Sequence, residues 1–157
     1  MRTFHEILNI FSVCNSQKIL NLIQPFVEQG KILPRTEAQI AANIDDYILL
    51  FEGDELLACA GLKNCQEGGM GEIYALVVSK KVQNQGFSRK LLDKLMQKAA
   101  ANNFSKVFAL SKHNAQWFLK QGFIKMEVNE LPKKRQALFD YQRNSSIFFK
   151  RVVQDEN

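Results

Sequence analysis

The stretch Val77 to Leu92, VVSKKVQNQGFSRKLL, passes from two β-branched residues through a basic, amide-rich segment into an apolar run of helical spacing. Within it, Gln83-Asn84-Gln85-Gly86-Phe87-Ser88 joins what reads as a strand to what reads as a helix. Gly86 lets the backbone approach a ligand closely. The N–H groups of the first helical turn have no intrahelical acceptors, and they point where the helix dipole favours an anion. A pyrophosphate fits such a place. A glycine ahead of a helix is also common in loops that bind nothing, so these six residues define room for an anion without saying which.

Other reactive side chains give less. His5 and His113 lack partners at metal-ligand spacing, no cluster of His, Cys and carboxylate suggests zinc, and no metal is expected. Cys14, Cys59 and Cys65 are odd in number and match no CxxC pattern, and two of them sit in apolar runs; they read as buried thiols of a cytoplasmic protein. The formal charge of +5 is spread over Lys80-Lys81, Arg89-Lys90, Lys133-Lys134-Arg135 and Lys150-Arg151. That scatter suits a small anionic ligand and gives no dense basic stripe, so nucleic acid is not an expected partner. Lys133-Lys134-Arg135 reads as a solvated face, and Trp117, Phe118 and Phe123 read as core. Neither a signal peptide nor an apolar run long enough to span a membrane is indicated.

These residues need a scaffold, and 157 residues, 46% apolar and 24% charged, suffice for one domain with a real core. No repeat or linker divides residues 1–157. Ile7 to Val13, ILNIFSV, alternates well enough for a first strand, and Gln17 to Gln29 has helical spacing stopped by Gly30. Thr36 is a candidate N-cap for a short second helix that has Arg35 at its entrance. Tyr47 to Phe51 and Leu56 to Leu62 read as a hairpin turning at Gly53-Asp54. Gly71 to Val78, GEIYALVV, is a buried strand before the glycine loop, and the helix from Phe87 ends near Asn102-Asn103. Val107 to Leu110 is a further strand, Asn114 to Gln121 a short helix, and strands from Phe123 and over Ser146 to Phe149 close the chain, with a Pro132-led segment between them. The predicted order is β-α-α-β-β-β-α-β-α-β-β. It describes an α/β (α+β) fold with a mixed central sheet flanked by helices.

Strand, Q-x-x-G-x-S loop, helix, second strand, Asn-led short helix and Gly122-Phe123 follow one another in an order that resembles the GCN5-related N-acetyltransferase superfamily. Gln83 and Gly86 match its signature, and Ser88 stands where Gly or Ala is usual. The resemblance implies that the backbone from Gln83 through Asn84, Gln85, Gly86 and Phe87 to Ser88 binds the pyrophosphate of acetyl-CoA. It implies that Leu76, Val77 and Val78 hydrogen-bond the pantetheine arm, and that Asn114, with His113 beside it, borders the coenzyme. Many members place a Tyr five residues before the Phe of the Gly-Phe pair, as acid towards the departing thiolate; here that position is Phe118.

Five segments give a closer match. LPRT at 33–36, GEIYALVVS at 71–79, FALS at 108–111, WFLKQGF at 117–123 and YQRNS at 141–145 resemble the acetyltransferase domain of bacterial N-acetylglutamate synthases, over about residues 20–150. The resemblance implies Glu72 as general base and Ser111 as acid, with Arg35, Arg143 and Ser145 recognising glutamate. The chemistry agrees. An amino acid arrives as an ammonium and must lose a proton before attacking a thioester, which a carboxylate can take directly or through water. Planar guanidinium groups suit a dicarboxylate. Direct attack in a ternary complex, without an acetyl-cysteine, is expected. Many such synthases carry an amino-acid-kinase-like domain first, through which arginine inhibits them; the residues here suggest a stand-alone domain, and relatives that pair suggest a homodimer. Two alternatives remain open: another amine or a protein N-terminus as acceptor, or a non-catalytic sensor of acyl-CoA.

Overall fold

The computed structural model describes residues 4–154, with side chains from Asn15 onward. In chain order the elements are α1 (Phe4–Glu28), α2 (Glu37–Ala42), β1 (Tyr47–Glu52), β2 (Glu55–Asn64), β3 (Met70–Val78), α3 (Phe87–Ala101), β4 (Lys106–Ser111), α4 (Ala115–Lys120), β5 (Ile124–Met126), α5 (Lys133–Ala137) and β6 (Ser146–Arg151). Six strands form one mixed sheet in the order β1-β2-β3-β4-β6-β5. The mixed sheet with helices is the expected class. One expected element is corrected, because Ile7 to Val13 lies within α1 and is not a strand. A short apolar run reads equally as strand or helix, and no Gly or Pro separates this one from the helical spacing that follows.

The described chain divides into two compact units. The first holds the residues up to Ala60 together with Ala75–Leu91, and the second holds Gly61–Tyr74 and the chain from Leu92 onward.

In the first unit α1 packs on α2. Ile19 and Ile23, one turn apart, are fully buried. The helix stops at Gly30, whose φ of 71° lets the Gly30 N–H reach the Val27 carbonyl at 3.0 Å and the Lys31 N–H reach Phe26 at 2.9 Å. These two hydrogen bonds close the last turn. Thr36 caps α2 as expected, its hydroxyl accepting from the Gln39 N–H while the Gln39 side chain accepts from the Thr36 N–H. Leu56 to Ala60 of β2 are all buried, as befits an interior strand.

In the second unit β3 and β4 run parallel, from Met70 opposite Lys106 to Ile73 opposite Ala109. β6 lies antiparallel to β4, from Lys106 opposite Arg151 to Ser111 opposite Ser146. Phe108, Met126, Leu131 and Ile147 form a core cluster, with Cys65, Phe139 and Phe149 at its edge. Phe118 is buried as expected, stacked on Phe148 at 5.7 Å and edge-on to Phe123 at 5.1 Å. Each fully buried Phe contributes on the order of 1.5–3 kcal/mol, which commits position 118 to the core.

Candidate active site

The first unit contains the glycine loop. β3 ends at Val78, and the chain makes one 3-10 turn over Lys80–Val82, started by the Ser79 hydroxyl accepting from the Lys81 N–H at 3.3 Å. Val82 anchors that turn in the interior. Gln83 then folds back, its side-chain amide donating to the Val78 carbonyl at 2.8 Å. The side chain of Gln83 thus fastens the loop to the end of its own strand. Asn84 has φ 63° and Gly86 φ 85°, and α3 opens with the Lys90 N–H on the Gly86 carbonyl at 3.1 Å. A Cβ placed on Gly86 would meet nothing within 4 Å, so its surroundings are open. Gln85 is exposed, while Phe87 and Ser88 are half-buried in the first turn of α3. Leu76 is half-buried, and the side chains of Val77 and Val78 are buried. The β3 residue just ahead of them, Ala75, has φ 49°, a break in extended backbone that a non-glycine residue rarely adopts.

Arg35, also in this unit, is half-buried at the entrance of α2 and donates from Nη1 to the Leu33 carbonyl at 3.1 Å. Its charge acts on Cys59. Burial pushes that thiol up to about 12, with Arg35 opposing.

The second unit contains the ionic residues. Glu72 on β3 stands opposite Phe108 of β4. Both its carboxylate oxygens accept from one guanidinium, Arg135 Nε to Oε1 at 2.7 Å and Arg135 Nη2 to Oε2 at 3.3 Å, with side chains only 14% and 19% exposed. Arg135 is therefore not part of a solvated face, although Lys133 and Lys134 beside it are exposed. The reason lies in how α5 is held. Leu131 and Pro132 are buried, Leu131 in the same cluster as Phe108, and the Gln136 side chain donates to the carbonyls of Asn129 at 3.1 Å and Leu131 at 2.7 Å. A single turn fixed in this way points one of three successive basic residues inward. The run of charge hid this in the sequence; the only hint was Pro132 starting a turn in which Arg135 falls three residues later.

Ser111 ends β4, buried, its Oγ accepting from the Asn114 N–H at 3.0 Å. Asn114 itself is exposed and caps α4 without using its side chain. Ser146 pairs with Ser111, so half-buried Ser145 and Arg143 come to the same end of the β4–β6 ladder as Ser111. Arg143 sits in the 3-10 turn Tyr141–Arg143, started by the Asp140 carboxylate accepting from the Gln142 N–H at 2.9 Å and ended by Asn144 at φ 56°. Its guanidinium has no carboxylate partner among the described residues. The structure therefore brings Glu72, Ser111, Asn114, Arg143 and Ser145 into one unit and adds Arg135 to them; Arg35 and the glycine loop belong to the other.

Cys65 lies near this cluster, its thiol pushed up to about 11 by burial and then by the Glu72 charge, against Lys63 and Arg135. Both described cysteines are thus protonated near neutral pH and poor nucleophiles. No group of three or more His, Cys, Asp or Glu that could hold a metal occurs among the described residues. No helix among them is long and apolar enough to cross a membrane.

A mixed sheet, a glycine loop opening a helix and a strand-borne carboxylate fit one class of proteins, and residues 6–123 match the family model described as Acetyltransferase (GNAT) family. The chain belongs to that family. It is 33% identical over 142 residues to an amino-acid acetyltransferase of Shewanella oneidensis, covering 90% of this chain and 32% of the relative. It is 36% identical over 137 residues to one from Neisseria meningitidis serogroup A, covering 85% and 31%. Among solved structures, N-acetylglutamate synthase from Neisseria gonorrhoeae, complexed with coenzyme A and N-acetyl-glutamate, matches with TM-score 0.82 and 35% identity, over 87% of this chain and 32% of that one. The chain spans about a third of the length of the curated relatives it matches.

Proposed function

We propose that this chain is an acetyl-CoA-dependent N-acetyltransferase acting on the α-amino group of an amino acid, with L-glutamate as the acceptor. The observation that carries the acceptor is Arg143, a half-buried guanidinium with no carboxylate partner among the described residues, at the Ser111 and Ser145 end of the ladder. A carboxylate on the acceptor supplies the missing partner. The acetyl-CoA assignment is supported by the open surroundings of Gly86 at the start of α3, and by similarity to a synthase complexed with coenzyme A.

In this reading the α-ammonium gives one proton to Glu72, directly or through water, and the neutral amine attacks the thioester carbonyl. Backbone N–H groups stabilise the oxyanion of the tetrahedral intermediate. Collapse forms the amide and breaks the C–S bond. The electron pair leaves with the coenzyme A sulfur, and the nitrogen, cationic after the attack, gives up its second proton, which the Ser111 hydroxyl or water relays to that sulfur. Protonated thiols at Cys59 and Cys65 favour this direct transfer over a covalent acetyl-cysteine.

Thiol release from acetyl-CoA, measured against a panel of amino acids at millimolar concentration, tests the proposal. Release with glutamate, much reduced in Glu72→Gln and with a raised glutamate KM in Arg143→Ala, is expected. No release with glutamate would refute the acceptor. One observation favours a second reading: both oxygens of Glu72 are already engaged by Arg135, which would suit a protein that binds acyl-CoA without turning it over. Tight coenzyme binding with no release for any amine would select it.

A further inference from the structure

We infer that Arg135 is a positioning residue that sets the orientation of Glu72 and pairs with it, and that Oε2 of Glu72 is the oxygen that accepts the acceptor's proton. The inference rests on the reading of Glu72 as proton acceptor.

A glutamate side chain turns about three bonds, and a proton acceptor is effective only within hydrogen-bond reach of the proton it takes. Two contacts from one rigid guanidinium fix the plane of this carboxylate. They are unequal. Oε1 is held by Nε at 2.7 Å and Oε2 by Nη2 at 3.3 Å, so Oε2 is the looser partner and keeps the more available lone pairs. The pair also removes a net charge. A dicarboxylate acceptor is anionic overall, and a bare carboxylate at position 72 would repel it. Paired with Arg135, Glu72 presents a neutral surface with one directed acceptor.

The construction of α5 argues that the contact is built rather than incidental. Leu131 and Pro132 are buried, Gln136 ties two carbonyls of the preceding segment, and only Arg135 of the basic run turns inward. Both partners lie in one unit although 63 residues separate them in sequence.

The test is a double-substitution cycle on the full chain, with coenzyme A affinity and melting temperature measured for each variant. In the otherwise unchanged protein, Arg135→Met is expected to lower kcat at least tenfold, with coenzyme A affinity within twofold. In the Glu72→Gln background the same change should alter the residual rate less than twofold. Arg135→Ala should regain part of its kcat with millimolar guanidinium ion, and Arg135→Lys should fall between, which keeps the test usable if Arg135→Met folds poorly. Equal losses in both backgrounds, or an Arg135→Met enzyme as fast as the unsubstituted one, would overturn the inference and leave the proposed activity standing. Absence of thiol release from the unsubstituted protein would overturn both.

Discussion

Gly86 and Gly30 form a matched pair that separates folding from binding. Both have positive φ, 85° and 71°, and a Cβ at either position would meet nothing within 4 Å. Alanine therefore introduces no clash at either site, and what remains is the cost of holding an L residue in the left-handed region, about 1–2 kcal/mol. For a chain of this size that corresponds to a melting temperature lower by about 2–8 °C, similar in Gly86→Ala and Gly30→Ala. Their effects on acetyl-CoA should differ. An alanine at 86 either keeps the loop and projects a methyl into the open space, or relaxes to negative φ and turns the local N–H groups. With the pyrophosphate held by this loop as proposed, each outcome loses about one charge-assisted hydrogen bond to a phosphate, worth about 1.5–3 kcal/mol, so KM for acetyl-CoA should rise by about ten- to a hundredfold. Gly30 closes the end of α1 and has no such role. Paired thermal melts and steady-state titrations of acetyl-CoA decide the matter. If the two variants share the same KM, the loop does not hold the pyrophosphate; if only Gly86→Ala lowers the melting temperature, the strain argument is wrong.

Two further outcomes follow from packing and titration. A Cβ on Gly71 would come within 2.7 Å of the buried Phe104 ring and 2.9 Å of a Leu62 methyl; Gly71→Ala should therefore destabilise by about 1–3 kcal/mol through overpacking, read from urea midpoints. Burial holds the Cys59 thiol protonated up to about 12 in the fold, well above the ordinary range for a thiol. The unfolded chain thus releases that proton first as pH rises. Stability should be insensitive to this group below about pH 9 and fall between there and pH 12, with a shallower fall in Cys59→Ala; identical slopes in denaturant melts across that range would contradict the burial assigned to the thiol.

Much of the scaffold was legible because its signals are local. Thr36 ahead of a short helix, Gly30 after an apolar helical face and Gly53-Asp54 between two apolar runs each specify a turn or cap with few neighbours involved. The N-terminal segment misled for the converse reason: seven apolar-rich residues satisfy both periods, and only their continuity with the rest of α1 decides the matter.

Arg135 shows where such reading stops. Within Lys133-Lys134-Arg135 the charges are alike, and composition treats them as one exposed patch. What distinguishes Arg135 is rotation about a five-residue helix, fixed by buried Leu131 and Pro132 and by the two bonds from Gln136, against a carboxylate 63 residues earlier. A mostly buried glutamate left without a cation carries an uncompensated charge, a cost of several kcal/mol after relaxation. The sequence positions of buried carboxylates are therefore places to look for a distant arginine. Glu72 shares its face of β3 with Met70 and Tyr74, which are half-buried as it is, and a carboxylate so placed calls for a cationic partner. The basic run after Leu131-Pro132 was the place in the chain to seek it.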